Sequence, residues 1–465
     1  MQRTTRTTSG RIRTFGAAGT AVLVGLASVV IAWWRLGPVA RGTVWAEDGG
    51  IFLRERIALG PVDSLLHPYA GYLHLLPRLL VDLGWALPVA DSALVLSGGA
   101  CLVVGVLAGV VFLCARDVVP AWPFRVLLAL LPALLPLAPY EISGNAANLH
   151  WFALAATPWL FAHRPRSWWA SGAVAVVTAF VVLSELLTVL FLPLLLLAWF
   201  PVRPGRPGAA DAPGRGGTAR ARVVPVTVVA LAAGTAQVVT AFTDRRTSAP
   251  GSPSFPDVVA GWLLQPFAAL WNPDVGAAVR TVVAHGWAAA LVPAVLLVAV
   301  LVAAVVVGDR RARWIIVAFA AASGAVWWAA LLANGGAAQA WADPVVGLAA
   351  VPPLRYAAAS GLLVLTAAVV AASVLVGAPG RVDGHRPGGA ARLLASAAGW
   401  CMVAVVVVAT VGNVAPGPTR RSEGPVWATQ IPAAVAACEG DPGRTVEVRK
   451  APWTAQVPCA KLLGR

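Results

Sequence analysis

Long apolar runs separated by short polar segments make up most of this chain. A helix needs about 20 mainly apolar residues to cross the hydrocarbon core of a bilayer, and the runs predict about eleven such helices. They lie near 16–34, 92–114, 121–139, 149–163, 167–183, 186–200, 223–242, 286–307, 314–333, 357–377 and 393–414. Membrane strands would instead show short segments of alternating polarity. The pattern therefore predicts an all-α, polytopic transmembrane bundle.

The first apolar run follows a basic N-terminal segment, 1–15, and has the length of a signal peptide. No small-residue cleavage site follows it, and Trp33, Trp34 and Arg35 come next, as at a membrane interface. We therefore expect this run to be the first spanning helix.

Composition supports a membrane protein. The 465 residues are 58% hydrophobic and 12% charged, with a mean hydropathy of +0.76, whereas soluble domains carry about 25% charged residues. The net charge of +15 is dispersed over loops and forms no basic face with interleaved aromatics. Nucleic-acid binding is therefore not expected.

Charge also predicts the topology. With the N-terminus in the cytoplasm and the C-terminus outside, every short inner loop is basic, as the positive-inside rule requires. The inner residues are then Arg116, Arg125, Arg164, Arg166, Arg203, Arg206, Arg215, Arg220, Arg222, Arg310, Arg311, Arg313, Arg381, Arg386 and Arg392. Of the 20 acidic residues only Asp117, Asp211, Asp309 and Asp383 fall inside. The bias of the other acids suggests chemistry on the outer side.

A Pro/Gly/Arg-rich segment, 201–222, predicts a flexible cytoplasmic linker between two transmembrane halves, 16–200 and 223–414. Residues 415–465 would form an outer tail. The halves show no matching pair of broken helices, which many secondary transporters carry.

The loop between the first two spans, 36–90, is longer than a connection needs, which is typical of functional loops. It begins with Glu47 and Asp48, acids at the mouth of a membrane helix and therefore candidates for chemistry. The alternative is that they are N-terminal acids of an interfacial helix over Gly49–Leu59.

A second amphipathic interfacial helix is predicted over Gly71–Leu87, with His74, Arg78 and Asp82 on one face. This face either contributes to a site or is only the solvated side of the helix. His67 and His74 are either ordinary polar residues or, together with Glu47 and Asp48, ligands of a divalent metal ion. Their spacing matches no established metal-binding motif.

Three other outer segments are candidates to meet the acid pair. One is the polar turn with Asn145, Asn148 and His150, and another contains Trp271. The third is Arg355-Tyr356 after a rigid Pro-Pro pair, where an arginine would offer a fixed fork of donors to a phosphate or would act as an interfacial anchor. The tryptophans would stack on sugars or belong to the interfacial belt.

Cys438 and Cys459 lie in the predicted outer tail and are a candidate disulfide, with a reduced pair as the alternative. Closing a loop of this size stabilises by about 3 kcal/mol in the chain-entropy model. The spacing is not that of a metal site.

An outward acid pair after the first helix, a long first loop, about eleven spans and a small tail resemble the GT-C class of integral-membrane glycosyltransferases. The segment 45–78 (WAEDGGIFLRERIALGPVDSLLHPYAGYLHLLPR) is similar to uncharacterised bacterial members of this class. The order Glu-Asp departs from the usual Asp-Glu, and a large soluble outer domain is lacking. The resemblance implies a multi-pass protein of the bacterial plasma membrane.

It further implies transfer of a sugar from a polyprenyl-phosphate donor to a cell-envelope acceptor on the outer face, a glycan, lipid or protein. Glu47 or Asp48 would accept the proton of the acceptor hydroxyl, and Arg355 would hold the departing phosphate. The resemblance does not decide which acid acts or whether a metal ion takes part. The main alternative is a transporter or flippase, for which Glu185 and Gln237 are the mid-membrane polar candidates, and the third is a non-catalytic envelope assembly protein.

Overall fold

The computed structural model describes residues 5–200, 219–244, 246, 248–337, 339–377 and 389–464, with side chains from residue 16. Most of the predicted linker, residues 201–218, lies outside the described part. The basic N-terminal segment is helical from residue 5 onward, continuous with the first spanning helix.

The described chain is almost entirely helical. The helices are α1 Thr5–Arg41, α2 Leu53–Asp63, α3 Leu75–Ala86, α4 Ser92–Cys114, α5 Trp122–Leu134, α6 Ala138–Glu141, α7 Leu149–Ala162, α8 Trp168–Val182, α9 Leu195–Trp199, α10 Val224–Thr243, α11 Phe255–Trp262, α12 Val275–His285, α13 Ala288–Val307, α14 Arg310–Ala333, α15 Arg355–Gly377, α16 Gly389–Gly412, α17 Ile431–Cys438 and α18 Cys459–Leu462. Short π- or 3₁₀-helical turns connect several of them. They are Asp48–Phe52, Val89–Asp91, Ala115–Asp117, Leu186–Leu194, Leu263–Phe267, Ala268–Leu270, Gly335–Ala337, Val346–Ala350 and Ala428–Gln430.

Seven of the described helices are long and apolar enough to cross a membrane. They correspond to predicted spans one, two and seven to eleven, so the helical membrane fold is confirmed at this level. Predicted spans three to six coincide with shorter helices or turns. The count of about eleven therefore stays a prediction, as does the side on which each terminus lies.

Local differences from the predicted spans have clear causes. The helix predicted over 121–139 ends at Leu134, next to Pro136. The run 186–200 contains Pro193 and forms a 3₁₀ segment followed by one short α-helix, because proline cannot donate the backbone hydrogen bond that a continuous α-helix needs.

Close approach of small residues holds the first two long helices together. A Cβ atom on Gly25 of α1 would lie 2.8 Å from the carbonyl oxygen of Gly105 on α4, so only glycine allows this approach. Small residues are common at helix contacts in lipid. The hydrophobic effect does not drive helices together there, so they associate through close packing. Of the seven long apolar helices, α15 is the most enclosed and is buried from Ala357 to Ser373.

Residues predicted on opposite sides of the membrane lie at opposite ends of the bundle. Asp117, Arg166 and Arg311 meet at one end, whereas Glu47 and Arg355 meet at the other. The helix α14 joins the two ends and at 24 residues is about 36 Å long. This separation agrees with the predicted loop sides.

The tail departs from the all-α expectation, since it contains the one two-stranded sheet of the described residues. The strands β1 Thr445–Arg449 and β2 Thr454–Pro458 are antiparallel, and a disulfide joins Cys438 to Cys459 with Cα atoms 5.3 Å apart. Buried Trp427 fixes the tail to the first loop, donating from its backbone N to Gly42 O at 2.7 Å and from its indole to Val89 O at 2.7 Å.

Candidate functional site

Asp48 is the first residue of a short π-helical turn, Asp48–Phe52, and Glu47 is the residue just before it. The tail packs directly on this turn: a Cβ atom at Gly49 would lie 2.6 Å from Lys450 Cδ, so the two glycines after the acids make room for a buried lysine. Ala451 N also donates to Val44 O at 3.1 Å. The turn is therefore enclosed on one side by the tail, and it directs Glu47 and Asp48 to different environments.

Asp48 has a structural role, because it binds the backbone of a distant turn. Its two carboxylate oxygens accept hydrogen bonds from Ala147 N at 2.7 Å and Ala146 N at 3.0 Å, in the turn that precedes α7. Burial raises the pKa of Asp48 to about 7, against the opposing effect of these two N–H groups. Because each oxygen accepts a backbone hydrogen bond and the side chain is 1% exposed, Asp48 is not placed to meet a substrate.

Glu47 faces a cavity instead. Its Oε1 accepts a hydrogen bond from Arg355 Nη1 at 2.7 Å, whereas its Oε2 has no hydrogen-bond partner among the described residues. Burial by itself raises the pKa of Glu47, but the charge and hydrogen bond of Arg355 outweigh it and the net direction is downward. Glu47 is therefore an ionised carboxylate with one free oxygen.

Arg355 lies between two carboxylates. Besides Glu47 it approaches Glu141 Oε1 at 3.9 Å, and Glu141 also pairs with Arg420 of the tail at 3.1 Å. Burial raises the pKa of Glu141, while Arg355 and Arg420 oppose this. The guanidinium lies 5.5 Å from the ring centroid of Tyr356, and the Arg355 side chain keeps 30% exposure, so its remaining donors are accessible.

The cavity has a volume of about 350 Å³ and is walled by aromatic and small apolar side chains around a polar centre. It is lined by Glu47, Phe52, Tyr69, Ala70, Gly71, Tyr72, His74, Ala147, His150, Trp151, Glu185, Leu186, Leu187, Ala241, Asp244, Arg246, Val326, Ala329, Ala330, Ala333, Asn334, Arg355 and Tyr356. Elements from both halves of the chain contribute. A polar centre with aromatic walls is typical of a small-molecule site.

A tight turn presents two of the aromatic residues. Tyr69 and Tyr72 exchange backbone hydrogen bonds at 3.0 and 3.2 Å across Ala70 and Gly71, both of which have positive φ. This turn replaces the first residues of the helix predicted over Gly71–Leu87, because a helix cannot continue through left-handed backbone. His74 follows the turn and packs on Tyr72, with ring centroids 3.9 Å apart.

A histidine and a glutamate form a second polar group in the cavity. His150 Nδ1 is hydrogen-bonded to Glu185 Oε2, and Glu185 Oε1 accepts from Leu187 N at 2.8 Å. The His150 ring packs on Trp151, with centroids 4.1 Å apart. Glu185 therefore begins the 3₁₀ segment that follows it and orients His150.

The structure brings several of the predicted site residues into the cavity and leaves others outside it. Glu47, His74, His150, Arg355 and Tyr356 line it. The remaining predicted residues, Asp48, Arg78, Asn145, Asn148 and Trp271, do not.

Each residue outside the cavity has another role in the fold. Arg78 is buried, pairs with Glu55 at 2.6 Å and lies over Phe52, so the face of α3 that carries it packs on α2 instead of facing solvent. Asn145 and Asn148 hydrogen-bond each other within the turn that holds Asp48. Trp271 packs on Phe267.

A metal site formed by the predicted ligands is not present. His67 is exposed, whereas Glu47 and Asp48 are buried. Over the described ranges, no three His, Cys, Asp or Glu side chains are grouped so as to hold a metal ion.

Some residues around the cavity were missed by sequence reasoning, and for most of them no local signal existed. Tyr69, Tyr72 and Arg246 are ordinary residues of polar segments, and the tail residues Arg420 and Lys450 approach the acids only through tertiary packing. Glu185 did carry a signal, since an acid within an apolar run is a functional candidate, but the sequence named it only for the transporter alternative and not for this site. No protein-family model, curated protein or solved structure matches the chain.

Proposed function

We propose that this chain is a membrane glycosyltransferase, in which Glu47 is the base and a lipid-linked phosphate is the leaving group. One observation carries the proposal: Glu47 lines the cavity, its buried Oε2 has no hydrogen-bond partner among the described residues, and an arginine with spare donors is bound to its other oxygen. A base beside a phosphate-binding cation is what sugar transfer from a polyprenyl-phosphate donor needs. The site would face the outer side of a bacterial plasma membrane.

The chemistry requires one proton transfer and one bond exchange. The acceptor hydroxyl attacks the anomeric carbon of the sugar, the bond from that carbon to the phosphate oxygen breaks, and the hydroxyl proton passes to Glu47 Oε2. The polyprenyl phosphate leaves with the bonding electron pair. A positioned base of this kind contributes about 10²–10⁴-fold to the rate.

Arg355 supports the departure of the phosphate. Its planar guanidinium can hold two phosphate oxygens at once, and in a water-poor cavity such a donor stabilises the developing negative charge more strongly than in water. A phosphate that takes up these donors also weakens the hold of Arg355 on Glu47, which makes the carboxylate a better proton acceptor.

The walls of the cavity suit a sugar ring. Tyr72, His150, Trp151 and Tyr356 present flat apolar faces, while Glu185 offers hydrogen-bond acceptors to hydroxyl groups. The acceptor class, whether glycan, lipid or protein, follows from the predicted outer location and is not specified by these contacts.

The test is transfer of labelled sugar from polyprenyl-phosphate donors by the purified full chain in proteoliposomes. We expect Glu47→Gln to lower the transfer rate by 10²–10⁴-fold, and Glu423→Gln, the same change at an exposed glutamate of the tail, to leave it unchanged. Full activity of Glu47→Gln contradicts the base assignment.

A transporter or flippase is the second candidate, and Glu185 in the cavity is the observation that favours it. Gln237, its other proposed polar residue, is occupied by the backbone: it accepts from Leu73 N at 2.9 Å and donates to Val182 O at 2.8 Å. Solute uptake or lipid flipping without sugar transfer in the same proteoliposomes favours transport.

A further inference from the structure

The end of the bundle opposite the cavity carries a group of arginines around a single carboxylate. Asp117 accepts from Arg166 at 3.4 Å and lies 3.9 Å from Arg311 and 3.6 Å from His163. The charges of Asp117 and Arg311 also act on Arg164, and those of Asp117 and Arg166 act on Arg116. We call Arg116, Arg164, Arg166 and Arg311 the arginine cluster.

The cluster has more positive charge than the described protein neutralises. Within the described chain, Arg166 and Arg311 approach the one carboxylate of Asp117 within 4 Å, and Arg116 and Arg164 lie near it without forming an ion pair. In addition, the buried Nε atoms of Arg116 and Arg164 have no hydrogen-bond partner among the described residues. Unpaired guanidinium donors withdrawn from water are costly, and an anion that accepts from them removes this cost.

Backbone contacts hold the cluster in place. Arg311 is buried and donates from Nη2 to Leu197 O at 3.0 Å. Arg222 Nη1 donates to Arg166 O at 2.8 Å, and Ser171 Oγ donates in turn to Arg222 O at 2.6 Å. Arg166 and Arg311 are therefore each tied to a neighbouring segment, so less ordering of these two residues is needed on binding.

The position of the cluster matches the headgroup region of a bilayer. Exposed tryptophans follow the cluster residues closely along the chain: Trp122 after Asp117, Trp168 and Trp169 after Arg166, and Trp314 after Arg311. Tryptophan prefers the membrane interface, and the cluster lies on the side predicted to be cytoplasmic. A ligand here would have its anionic group among the arginines and its apolar part beside exposed helix surfaces.

We propose that the arginine cluster binds the phosphate group of an anionic phospholipid on the cytoplasmic face. The chemistry that recognises it is a phosphate with an attached acyl region, because the charged donors adjoin aromatic and apolar surface. Basic pockets between membrane helices on this side commonly take such headgroups. The proposal does not depend on the glycosyltransferase assignment.

The experiment measures the thermal unfolding midpoint of the full chain in detergent while phosphatidylglycerol, phosphatidylcholine or inorganic phosphate is added. We expect phosphatidylglycerol to raise the midpoint saturably and phosphatidylcholine and inorganic phosphate to have little effect. In Arg164→Gln/Arg166→Gln the apparent affinity for phosphatidylglycerol should fall roughly 10- to 30-fold, as about 1 kcal/mol per arginine predicts.

Two controls make the result decisive. The first is Arg280→Gln, which changes an exposed arginine paired with Asp274 at 2.7 Å on the predicted outer side; it should keep the wild-type response. The second is native mass spectrometry, which should detect retained phosphatidylglycerol on wild type and on Arg280→Gln but not on the double variant. Equal loss in Arg280→Gln, or an unchanged response in the double variant, overturns the proposal. Equal stabilisation by inorganic phosphate overturns the lipid assignment.

Discussion

Arg355 Nη1 lies 2.7 Å from Glu47 Oε1, although 308 positions separate the two residues in the sequence. The contact joins the loop after the first helix to the start of α15, and therefore links the two halves of the chain at the cavity. Since Glu141 also approaches Arg355, one arginine serves two buried carboxylates. Removal of either Glu47 or Arg355 should therefore leave the other residue without its ion-pair partner.

We predict that amide substitution of Asp48 lowers mainly the stability of the protein, whereas amide substitution of Glu47 lowers mainly its transfer activity. Asp48→Asn presents an amide nitrogen to one of two backbone N–H donors, which should cost about 1–3 kcal/mol of stability. Glu47→Gln should have a smaller effect on stability, because Arg355 is partly exposed and retains Glu141 nearby, while the rate of sugar transfer falls by about 10²–10⁴-fold.

The comparison uses unfolding midpoints in detergent together with transfer rates. Ser64 is buried but lies outside the site residues, so Ser64→Ala controls for loss of a buried polar group elsewhere. If Glu47→Gln is the more destabilising of the two acid variants, the structural role assigned to Asp48 is wrong.

The raised pKa of Asp48 predicts a pH dependence of stability. An acid whose pKa is about 7 in the folded protein and near its ordinary value of 3.8 in the unfolded chain binds its proton more tightly when folded. Its contribution to stability is therefore present at low pH and is lost as the pH rises from about 4 to about 7. Glu47, whose pKa is lowered, contributes to stability in the opposite sense. Its contribution is present at neutral pH and is lost as the pH falls below its ordinary pKa of 4.5.

Asp48→Asn lacks this titration, so the stability gap between wild type and variant should narrow as the pH rises from 4 to 7. Unfolding midpoints of both proteins at pH 4.5, 6 and 8 test this. Curves that run parallel over the whole range would show that Asp48 keeps an ordinary pKa in the folded protein.

The fold class followed from apolar run lengths, because helices in lipid must satisfy their own backbone. The different roles of Glu47 and Asp48 did not follow, since their directions depend on one π-helical turn and on the distant Ala146–Ala147 backbone. Arg78 shows the same limit: its spacing placed it correctly on one face of α3, but only tertiary packing determines that this face meets Glu55 and Phe52. Arg355 was found because proline fixes the chain before it.

The tail should detach locally when its disulfide is removed. Cys438→Ser/Cys459→Ser opens a loop with a sequence separation of 21, which costs about 3 kcal/mol in the chain-entropy model. We expect faster proteolysis between residues 440 and 464 without loss of the helical circular dichroism signal. Trp427→Ala, which removes a buried anchor of the tail, should have a similar effect, and unchanged proteolysis in both would show that the tail is held by other contacts.

A single glycine supports the turn that holds Asp48. Gly144 has a φ of 66°, which is strained for other residues, and a Cβ atom there would overlap the Leu36 side chain of α1. Gly144→Ala should therefore destabilise the protein by about 2 kcal/mol or more, since strain and overpacking each cost about 1–3 kcal/mol. It should also displace the Ala146 and Ala147 N–H groups from Asp48.

The matched control is Gly324→Ala, in the middle of α14, where an added Cβ meets nothing within 4 Å. That change should be neutral or stabilising, because alanine favours helix more than glycine does. Unfolding midpoints of both variants are measured as a function of pH. Because the Ala146 and Ala147 N–H groups lower the pKa of Asp48, Gly144→Ala should enlarge the pH-dependent component of stability assigned to Asp48, whereas Gly324→Ala should leave it unchanged. Equal behaviour of the two variants would mean that the turn before α7 is not what orients Asp48.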